Sequence, residues 1–335
     1  MIALTYDDIQ LIPAYSEVYS RKLIDLKTNV TSRYSLLQPL VASPMDTVCD
    51  SQMAIAMMRL GGLGVIHRFM SIDEQYTQVM EVNGFRSDGG HQLPIAAAVG
   101  ANGDYLERAK MLIYGGANII LIDVAHGHHK NVKEAIDKIK SIDSSVDVIA
   151  GNIATVKAAE DLTDWGADGL RVGIGGGSLC TTRVKTGFGV PNVTCLETIC
   201  GVAKIPVMAD GGIRSSGDIA KALALGASTV MVGSLIAGTE EAPGSIIEKS
   251  VGLYKRYRGA ASLETKMAHG QETRNVEGES AVIPYKGGVK YIIENLLDGV
   301  KSALSYSGSD CLANFKPEYI RITDAGRNEA KPHLL

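Results

Sequence analysis

The sequence contains little cysteine and no marked excess of charge of either sign. Its 335 residues include five cysteines, an odd number with no Cys-x-x-Cys spacing. This pattern argues against a disulfide framework and against a zinc site. The 33 basic and 37 acidic residues give a formal net charge of −4, and the basic residues are dispersed. A nucleic-acid or anionic-membrane partner is therefore not expected. The cysteines are Cys49, Cys180, Cys195, Cys200 and Cys311.

Long apolar runs are also absent. No stretch approaches the roughly 20 consecutive apolar residues of a transmembrane helix. Near the start, Asp7 and Asp8 interrupt the region where a signal peptide would need an apolar run. The composition, 45% hydrophobic and 21% charged, is typical of a globular protein. We therefore expect a cytoplasmic protein.

The chain does contain eight short apolar runs, most of them followed by a turn and an amphipathic segment. Strands that are continuously apolar suit a parallel sheet buried on both faces. A spacing of roughly 20 to 35 residues fits one strand and one helix per unit. Eight such units predict a single (β/α)8 barrel domain over residues 1–335, with residues 255–288 as an excursion over its mouth. The alternative is a doubly wound open sheet, but no G-x-G-x-x-G follows the first strand. The runs are 39–45, 63–67, 94–100, 119–125, 147–151, 169–173, 205–212 and 229–233.

Glycine-rich turns follow three of the later strands. The segment "GIGGGSLCTTRVKTGFG" (173–189) contains Ser178, and the other turns are Gly211-Gly212 and Gly233-Ser234. Backbone N–H groups in such turns bind anions, and the loops after strands seven and eight of this fold are its usual phosphate site. Asp210 beside them suits the ribose hydroxyls of a nucleotide. The alternatives are that the glycines only make tight turns and that Asp210 caps one of them.

Cys180 lies in the middle of the first glycine-rich loop. Backbone donors favour a thiolate, which is the nucleophilic form of cysteine. Thr182, two residues later, is placed to relay a proton. Cys195 and Cys200 lie in an apolar helical pattern and are interpreted as structural. His126, His128 and His129 resemble a metal cluster, but no second ligand set accompanies them, so we interpret them as solvated loop residues.

The motifs together resemble those of the inosine-monophosphate dehydrogenase / guanosine-monophosphate reductase family. The resemblance extends in order over almost the whole chain. It implies a (β/α)8 barrel that binds a purine nucleotide at its strand ends and attacks purine C2 with the loop cysteine. One departure is Gly176, where the family usually has proline; this frees the backbone of the loop. The motifs are "LTYDDIQLIPAYSEV", "ASPMDTVCD", "GGLGVIHR", "IDVAHGH", "AGNIAT", "RVGIGGGSLCTTRVKTG", "MADGGIRSSGDIAKALALGAS" and "MVGSLIAGTEEAPG".

Within this family, the resemblance is greatest to a small GMP reductase. The dehydrogenases carry an Arg-Tyr pair that activates water in their flap, but residues 259–287 contain none, since Arg274 is followed by Asn275. The regulatory domain that most dehydrogenases insert between strands two and three is also missing, but truncated dehydrogenases lack it as well, so its absence does not distinguish the two branches. The alternatives are an IMP dehydrogenase without that domain, a catalytically idle purine-nucleotide-binding protein, and a flavin-binding barrel that would leave Cys180 unexplained.

The resemblance also implies roles for individual residues and for ligands. A reductase would use NADPH, and a dehydrogenase NAD. Asp123 and Asn152 would lie on the nicotinamide side, and potassium would bind at Gly175, Gly177 and Cys180. The resemblance implies GMP or IMP as the nucleotide and a homotetramer as the assembly. The implied catalytic residues are Cys180, Thr182 and Glu277. The implied nucleotide contacts are Ser178, Asp210, Gly212, Gly233, Ser234, Tyr257, Ala260, Ala261 and Arg274.

Overall fold

Eight parallel strands close into a barrel in the computed structural model, which describes residues 2–89, 93–268 and 276–330. The barrel strands follow one another in chain order from β4 to β11, and β11 pairs with β4 to close the ring. The strands are β1 (Ile9–Leu11), β2 (Thr28–Asn29), β3 (Ser35–Leu36), β4 (Leu40–Ala42), β5 (Leu63–Ile66), β6 (Ala96–Val99), β7 (Ile119–Asp123), β8 (Asp147–Ile153), β9 (Gly169–Val172), β10 (Val207–Asp210), β11 (Thr229–Val232), β12 (Ile247–Lys249), β13 (Gly252–Arg258), β14 (Ser280–Pro284) and β15 (Tyr319–Arg321).

Helices follow the barrel strands and cover the outside of the ring. They begin at side-chain caps, such as Asp50 before α1 and Ser215 before α8, that accept from the first free N–H groups. The helices are α1 (Ser51–Arg59), α2 (Ile72–Gly89), α3 (Tyr105–Tyr114), α4 (Lys130–Ile142), α5 (Val156–Asp164), α6 (Thr182–Thr186), α7 (Asn192–Cys200), α8 (Ser216–Ala224), α9 (Leu263–Ala268), α10 (Val289–Tyr306) and α11 (Asp324–Glu329).

The eight apolar runs of the sequence are the eight barrel strands, so the predicted (β/α)8 barrel is confirmed and the doubly wound sheet is wrong. Strands β4, β5, β6, β9 and β11 are buried along their whole length. This explains why their sequences are continuously apolar rather than alternating. Among the described residues, no helix combines the length and apolar character of a membrane span.

A small antiparallel sheet lies after the barrel. It is formed by β12, β13 and β14, and residues 255–288, the predicted excursion, include most of β13, α9 and β14. Elsewhere, β1 pairs with β15, which joins the two ends of the described chain. The last residues of β13 and those that follow it lie at the mouth of the barrel, so this sheet contributes side chains to the site.

Candidate active site

A cavity of about 290 Å³ opens at the carboxyl ends of the barrel strands. Its wall includes the glycine-rich loop after β9, the last residues of β7 and β10, and parts of the segment after β13. In this fold, the carboxyl ends of the strands are where loops supply functional groups. Of the implied residues, the wall contains Asp123, Asn152, Gly175, Gly177, Ser178, Cys180, Thr182, Asp210, Tyr257, Ala260, Ala261 and Glu277.

Three side chains form a continuous hydrogen-bonded chain at this wall. The Cys180 thiol donates to Oγ1 of Thr182 over 3.1 Å, and the Thr182 hydroxyl donates to Oε2 of Glu277 over 2.7 Å. Glu277 is 95 residues from Thr182 in sequence. A nucleophile, a hydroxyl and a carboxylate in series can pass a proton between the carboxylate and whatever the sulfur attacks.

Backbone pairing holds this chain together. The cysteine loop and the segment before β14 exchange two hydrogen bonds, from Thr181 N–H to Glu277 O (3.0 Å) and from Glu279 N–H to Leu179 O (2.9 Å). On its other side, Glu277 N–H donates to Ala261 O over 3.1 Å. The segment carrying Glu277 is therefore fixed between the loop that carries Cys180 and the residues that follow β13.

The three glycine-rich turns predicted to bind phosphate meet at one side of the mouth. A Cβ on Gly211 would lie 2.8 Å from the carbonyl carbon of Gly176, so the turn after β10 packs directly on the cysteine loop. A Cβ on Gly233 would lie 3.4 Å from the hydroxyl oxygen of Tyr257. Within the described ranges, the N–H groups of Ser178, Gly212 and Ser234 have no backbone acceptor. Free donors in converging turns form an anion site.

Tyr257 links these turns to the small sheet. Its hydroxyl lies 3.0 Å from Oγ of Ser178, and the ring is buried. Burial raises the pKa of Tyr257, although the hydrogen bond with Ser178 opposes the increase. The phenol therefore stays neutral at physiological pH and keeps a proton to donate to an anion at this position. Gly212, Gly233 and Ser234 lie outside the cavity wall itself.

A charged cluster also lines the cavity. Buried Arg171 donates to Oδ1 of Asp123 (2.6 Å) and to Oδ2 of Asp210 (3.0 Å). Burial opposes the charge of Arg171, but the two carboxylates outweigh it and raise the pKa of the guanidinium. Arg68 Nε lies 3.6 Å from the second oxygen of Asp123. The cluster therefore holds two acidic side chains in fixed positions at the mouth.

Asn152 belongs to the same cluster. Its side-chain nitrogen donates to Asp210 Oδ2 (2.7 Å) and to the carbonyl of Gly173 (2.7 Å). Asp210 Oδ2 thus accepts from both Asn152 and Arg171, which leaves Oδ1 as the oxygen available to a ligand. Asn152 lines the cavity, and its geometry makes it a support for Asp210; its contact with a nicotinamide stays a prediction.

Sequence reasoning missed Arg171 and Arg68, which both line the cavity. The signal for Arg171 was present, since "GLRVG" places a charged residue within an otherwise apolar buried strand. A charge at such a position requires partners, and carboxylates at neighbouring strand ends are the obvious candidates. Arg274, the remaining implied contact, lies outside the described residues.

Two of the loop histidines have structural partners, and two of the other cysteines have strongly raised pKa values. Nε2 of His128 lies 2.8 Å from Asp161 Oδ2, and His129 caps α4 by accepting from Asn131 N–H. Burial raises the pKa of Cys195 and of Cys200 to about 12. In the part of the chain that the structure describes, no group of three His, Cys, Asp or Glu side chains is arranged to hold a metal ion.

Potassium would need backbone oxygens rather than side chains. Of the three implied residues, Gly177 uses its carbonyl to accept from Cys180 N–H (3.1 Å), whereas no backbone donor within the described ranges contacts the carbonyls of Gly175 and Cys180. Carbonyl oxygens suit a hard monovalent cation. One loop thus offers a partial ligand set, and potassium binding stays a prediction.

Comparison with known proteins identifies relatives over the whole length of the chain. Residues 3–333 match the family model described as the IMP dehydrogenase / GMP reductase domain. Inosine-5'-monophosphate dehydrogenase of Cryptosporidium parvum is 39% identical over 98% of this chain and 94% of the relative. The enzyme of the same name from Borreliella burgdorferi is 36% identical over 99% of this chain and 96% of the relative.

A solved structure resembles the fold closely. It is a cysteine-to-alanine variant of GMP reductase from Trypanosoma brucei in complex with guanosine 5'-monophosphate, with a TM-score of 0.94 and 29% sequence identity. The alignment covers 100% of this chain and 98% of the other. The resemblance found in the sequence motifs is thereby confirmed. The chain belongs to the IMP dehydrogenase / GMP reductase family of oxidoreductases, whose enzymes use a nicotinamide dinucleotide.

Proposed function

We propose that this protein is a GMP reductase that converts GMP to IMP and ammonia at the expense of NADPH. In this reaction the C2–N bond of the purine breaks, a C2–H bond forms, and NADPH is oxidised to NADP⁺. The reaction needs a nucleophile at C2, a proton for the departing amine and a site for the nucleotide phosphate. Each has a counterpart among the residues at the barrel mouth.

The observation that carries the proposal is the composition of the cavity wall near Cys180. Residues 255–288 contribute Tyr257, Gly259, Ala260, Ala261, Glu277 and Gly278 to that wall. Tyr257 is bonded to Ser178, so in the described part of this segment Glu277 is the side chain that can exchange a proton near the thiol. Residues 259–287 also contain no Arg-Tyr pair to activate water. A site that delivers one proton but lacks a water activator suits loss of ammonia better than hydrolysis.

Phosphate and ribose recognition follow from the same geometry. Free N–H groups at Ser178, Gly212 and Ser234, with the Tyr257 hydroxyl among them, supply donors to a 5′-phosphate. Asp210 presents Oδ1 to the ribose hydroxyls while Arg171 and Asn152 hold Oδ2. The related GMP reductase from T. brucei was solved with GMP, which agrees with a purine monophosphate as substrate.

Cys180 forms the covalent bond in the proposed mechanism. Its sulfur attacks C2 of GMP, and the S–C2 bond replaces the C2–N bond when the amine leaves as ammonia. As the sulfur attacks, the thiol proton passes through Thr182 to the Glu277 carboxylate, and Glu277 then returns it through Thr182 to the departing amine, because the three groups are in series. When the purine returns to aromaticity as IMP, the S–C2 bond breaks and Cys180 is regenerated as thiolate.

NADPH, when bound, supplies the hydride that adds to C2. Asp123 at the end of β7 is the proposed contact on the nicotinamide side, since Arg171 and Arg68 fix its carboxylate at the cavity wall. We also propose that potassium binds at the carbonyls of the cysteine loop and that the protein is a homotetramer. The family offers both NAD and NADPH enzymes, and the reductive direction favours NADPH.

IMP dehydrogenase is the second candidate, because the named relatives at 32–39% identity are IMP dehydrogenases. Such an enzyme would use the same nucleotide contacts and the same cysteine. It would also need a group that activates water, and residues 259–287 contain no Arg-Tyr pair for that role.

Nicotinamide absorbance distinguishes the candidates directly. Purified protein is mixed with GMP and NADPH in one cuvette and with IMP and NAD in another, and ammonia is assayed in the first. Loss of NADPH with ammonia release in the first cuvette alone is expected for the reductase. NADH formation in the second alone would replace the proposal with the dehydrogenase. Nucleotide binding without turnover in either cuvette would indicate an idle binding protein.

A further inference from the structure

Strand β13 carries an ammonium group inside a cage of backbone carbonyls. Nζ of Lys255 donates to the carbonyls of Thr239 (2.9 Å), Glu240 (3.2 Å) and Ala242 (2.5 Å). Lys255 is only 4% exposed. Three carbonyl oxygens around a buried cation is the arrangement by which proteins bind monovalent ions. Here the cation is covalently attached to the chain.

A buried lysine is costly unless it has a specific partner set. Burial lowers the pKa of Lys255, and the surrounding carboxylates of Asp50, Glu241 and Glu240 oppose that decrease. Removing the ammonium would leave three buried carbonyls without a donor. The free energy lost in this way is larger than the net stabilisation that the three hydrogen bonds provide. The cage therefore depends on Lys255 for its shape.

The cage belongs to the loop after β11, residues 233–242, which begins with two of the implied phosphate contacts. Consecutive turns connect its two ends. Ala237 N–H donates to Gly233 O (2.8 Å), and the hydroxyl of Thr239 donates to Ile236 O (2.8 Å). Ile236 and Ala237 are fully buried. A change in the position of Thr239 is therefore transmitted through packed turns to Gly233 and Ser234.

Strand β13 also holds two other loops of the barrel mouth. Tyr257, two residues after Lys255, bonds to Ser178 in the cysteine loop. Arg258 forms a 2.5 Å ion pair with Asp46 in the loop after β4. Lys255 thus fixes the loop after β11 relative to the same strand that positions Tyr257. That attachment acts at the far end of the loop, while Lys286 holds its near end by donating to the carbonyl of Ser234 (2.6 Å).

We propose that Lys255 is a positioning residue for the phosphate site. Its ammonium acts as a built-in cation that sets the loop after β11, so that Ser234 N–H and the Tyr257 hydroxyl face the same anion. This inference rests on the proposed function in one respect, namely that a 5′-phosphate binds at these turns. Lys255 itself lies behind the loop and need not touch the phosphate.

Chemical rescue tests the inference. The variant Lys255→Ala removes the three outer methylenes and the ammonium, and propylammonium has the size and charge to replace them. Binding of ribose 5-phosphate, which carries the phosphate but no base, is measured by calorimetry. We expect its affinity to fall by at least about ten-fold in Lys255→Ala, and KM for the nucleotide to rise with kcat nearly unchanged. Propylammonium should restore both, whereas propanol should not.

The control is Lys290→Ala, which removes an exposed lysine that pairs with Glu294 on α10. It should bind ribose 5-phosphate like the wild type and show no response to propylammonium. If Lys255→Ala does not fold, Lys255→Gln keeps two donors without the charge and should show the same increase in KM. Wild-type affinity in the folded variant, or equal rescue by propanol, would overturn the inference. Failure of the wild type to bind any 5′-phosphate would instead contradict the proposed function.

Discussion

Cys180 is the side chain on which the proposed chemistry depends most directly. In Cys180→Ala the nucleotide still has its phosphate and ribose contacts, but C2 has no nucleophile. We expect turnover to fall by at least about a thousand-fold, with the dissociation constant for GMP changed by less than about three-fold. Single-turnover absorbance and calorimetry measure the two quantities. Retained turnover would rule out a covalent cysteine intermediate.

Glu277 has a narrower role than Cys180, because it moves a proton without forming a bond to the substrate. Glu277→Gln keeps the size of the side chain and a hydrogen bond with Thr182, but it cannot donate and recover a proton. We expect kcat to fall by roughly 100- to 10,000-fold.

The matched control is Glu279→Gln, two residues further along the same segment. The side chain of Glu279 is exposed, whereas its backbone N–H holds Leu179 O. This variant should keep wild-type kcat. Equal losses in the two variants would show that general electrostatics, rather than the chain through Thr182, supports the reaction.

Sequence alone predicted the residues that carry reactive groups but not those that hold them. Cys180 and Thr182 are two residues apart, so a contact between their side chains could be expected from the sequence. Glu277 was identified only through the family resemblance. The other supporting residues, Arg171, Arg68 and Lys255, have partners that are distant in sequence. Both arginines pair with Asp123, about 50 residues away, and Lys255 bonds to Ala242, roughly 10 residues away. These pairs depend on which loops the closed barrel brings together. A lone charge in a buried strand indicates that a partner exists but does not identify it.

The turns at the strand ends act together because they are in contact. Gly211 has φ +91°, and any side chain there would collide with the backbone of Gly176. Gly211→Ala should therefore separate the turn after β10 from the cysteine loop and weaken GMP binding by about ten-fold or more. Isothermal calorimetry measures the effect.

Gly84→Ala provides the comparison for that variant. Gly84 lies within α2, where an added Cβ would meet nothing within 4 Å. The same chemical change there should leave GMP binding unaltered and raise the free energy of unfolding by roughly 0.5–1 kcal/mol, because alanine favours helix. If both variants bind GMP normally, contact between the turns is not needed for the phosphate site.

At the level of elements, apolar runs located the barrel strands well because each is buried on both faces. The small sheet was not predicted. Its strands β13 and β14 contain Lys, Arg and exposed residues, as in "GLYKRYR", and they pair with each other across a long loop. Only tertiary structure shows that buried Lys255 and Tyr257 alternate along β13 with the exposed Arg256 between them. The hydrophobic pattern of the sequence therefore predicts a strand poorly where the strand's buried positions hold polar side chains of a functional site.

The whole molecule contains buried thiols in separate parts of its core. Cys49 lies between β4 and α1, and Cys195 lies in α7; both are completely buried. Burial raises the pKa of Cys195 to about 12 and that of Cys49 well above its usual range. In the unfolded chain each thiol titrates near pH 8.5. Below that pH both states hold the proton, and stability is unaffected by titration.

As the pH rises above about 8.5, the unfolded state loses protons that the folded state keeps, so the free energy of unfolding must decrease. For Cys195 alone the loss between pH 9 and pH 11 is about 2.5 kcal/mol. Cys195→Ala removes this dependence. The variant should be less stable than the wild type at pH 7 because of the cavity, and the difference should shrink as the pH rises.

Urea unfolding at pH 7, 9, 10 and 11 measures the effect, with Cys311→Ala as the control. Cys311 is only partly buried, so this variant shows whether loss of a thiol outside the core changes the pH dependence in the same way. A Cys195→Ala curve parallel to that of the wild type would mean that Cys195 ionises equally readily in both states. A converging curve would show that part of the barrel's stability depends on keeping this thiol protonated, in contrast to Cys180, whose proposed role requires the thiolate.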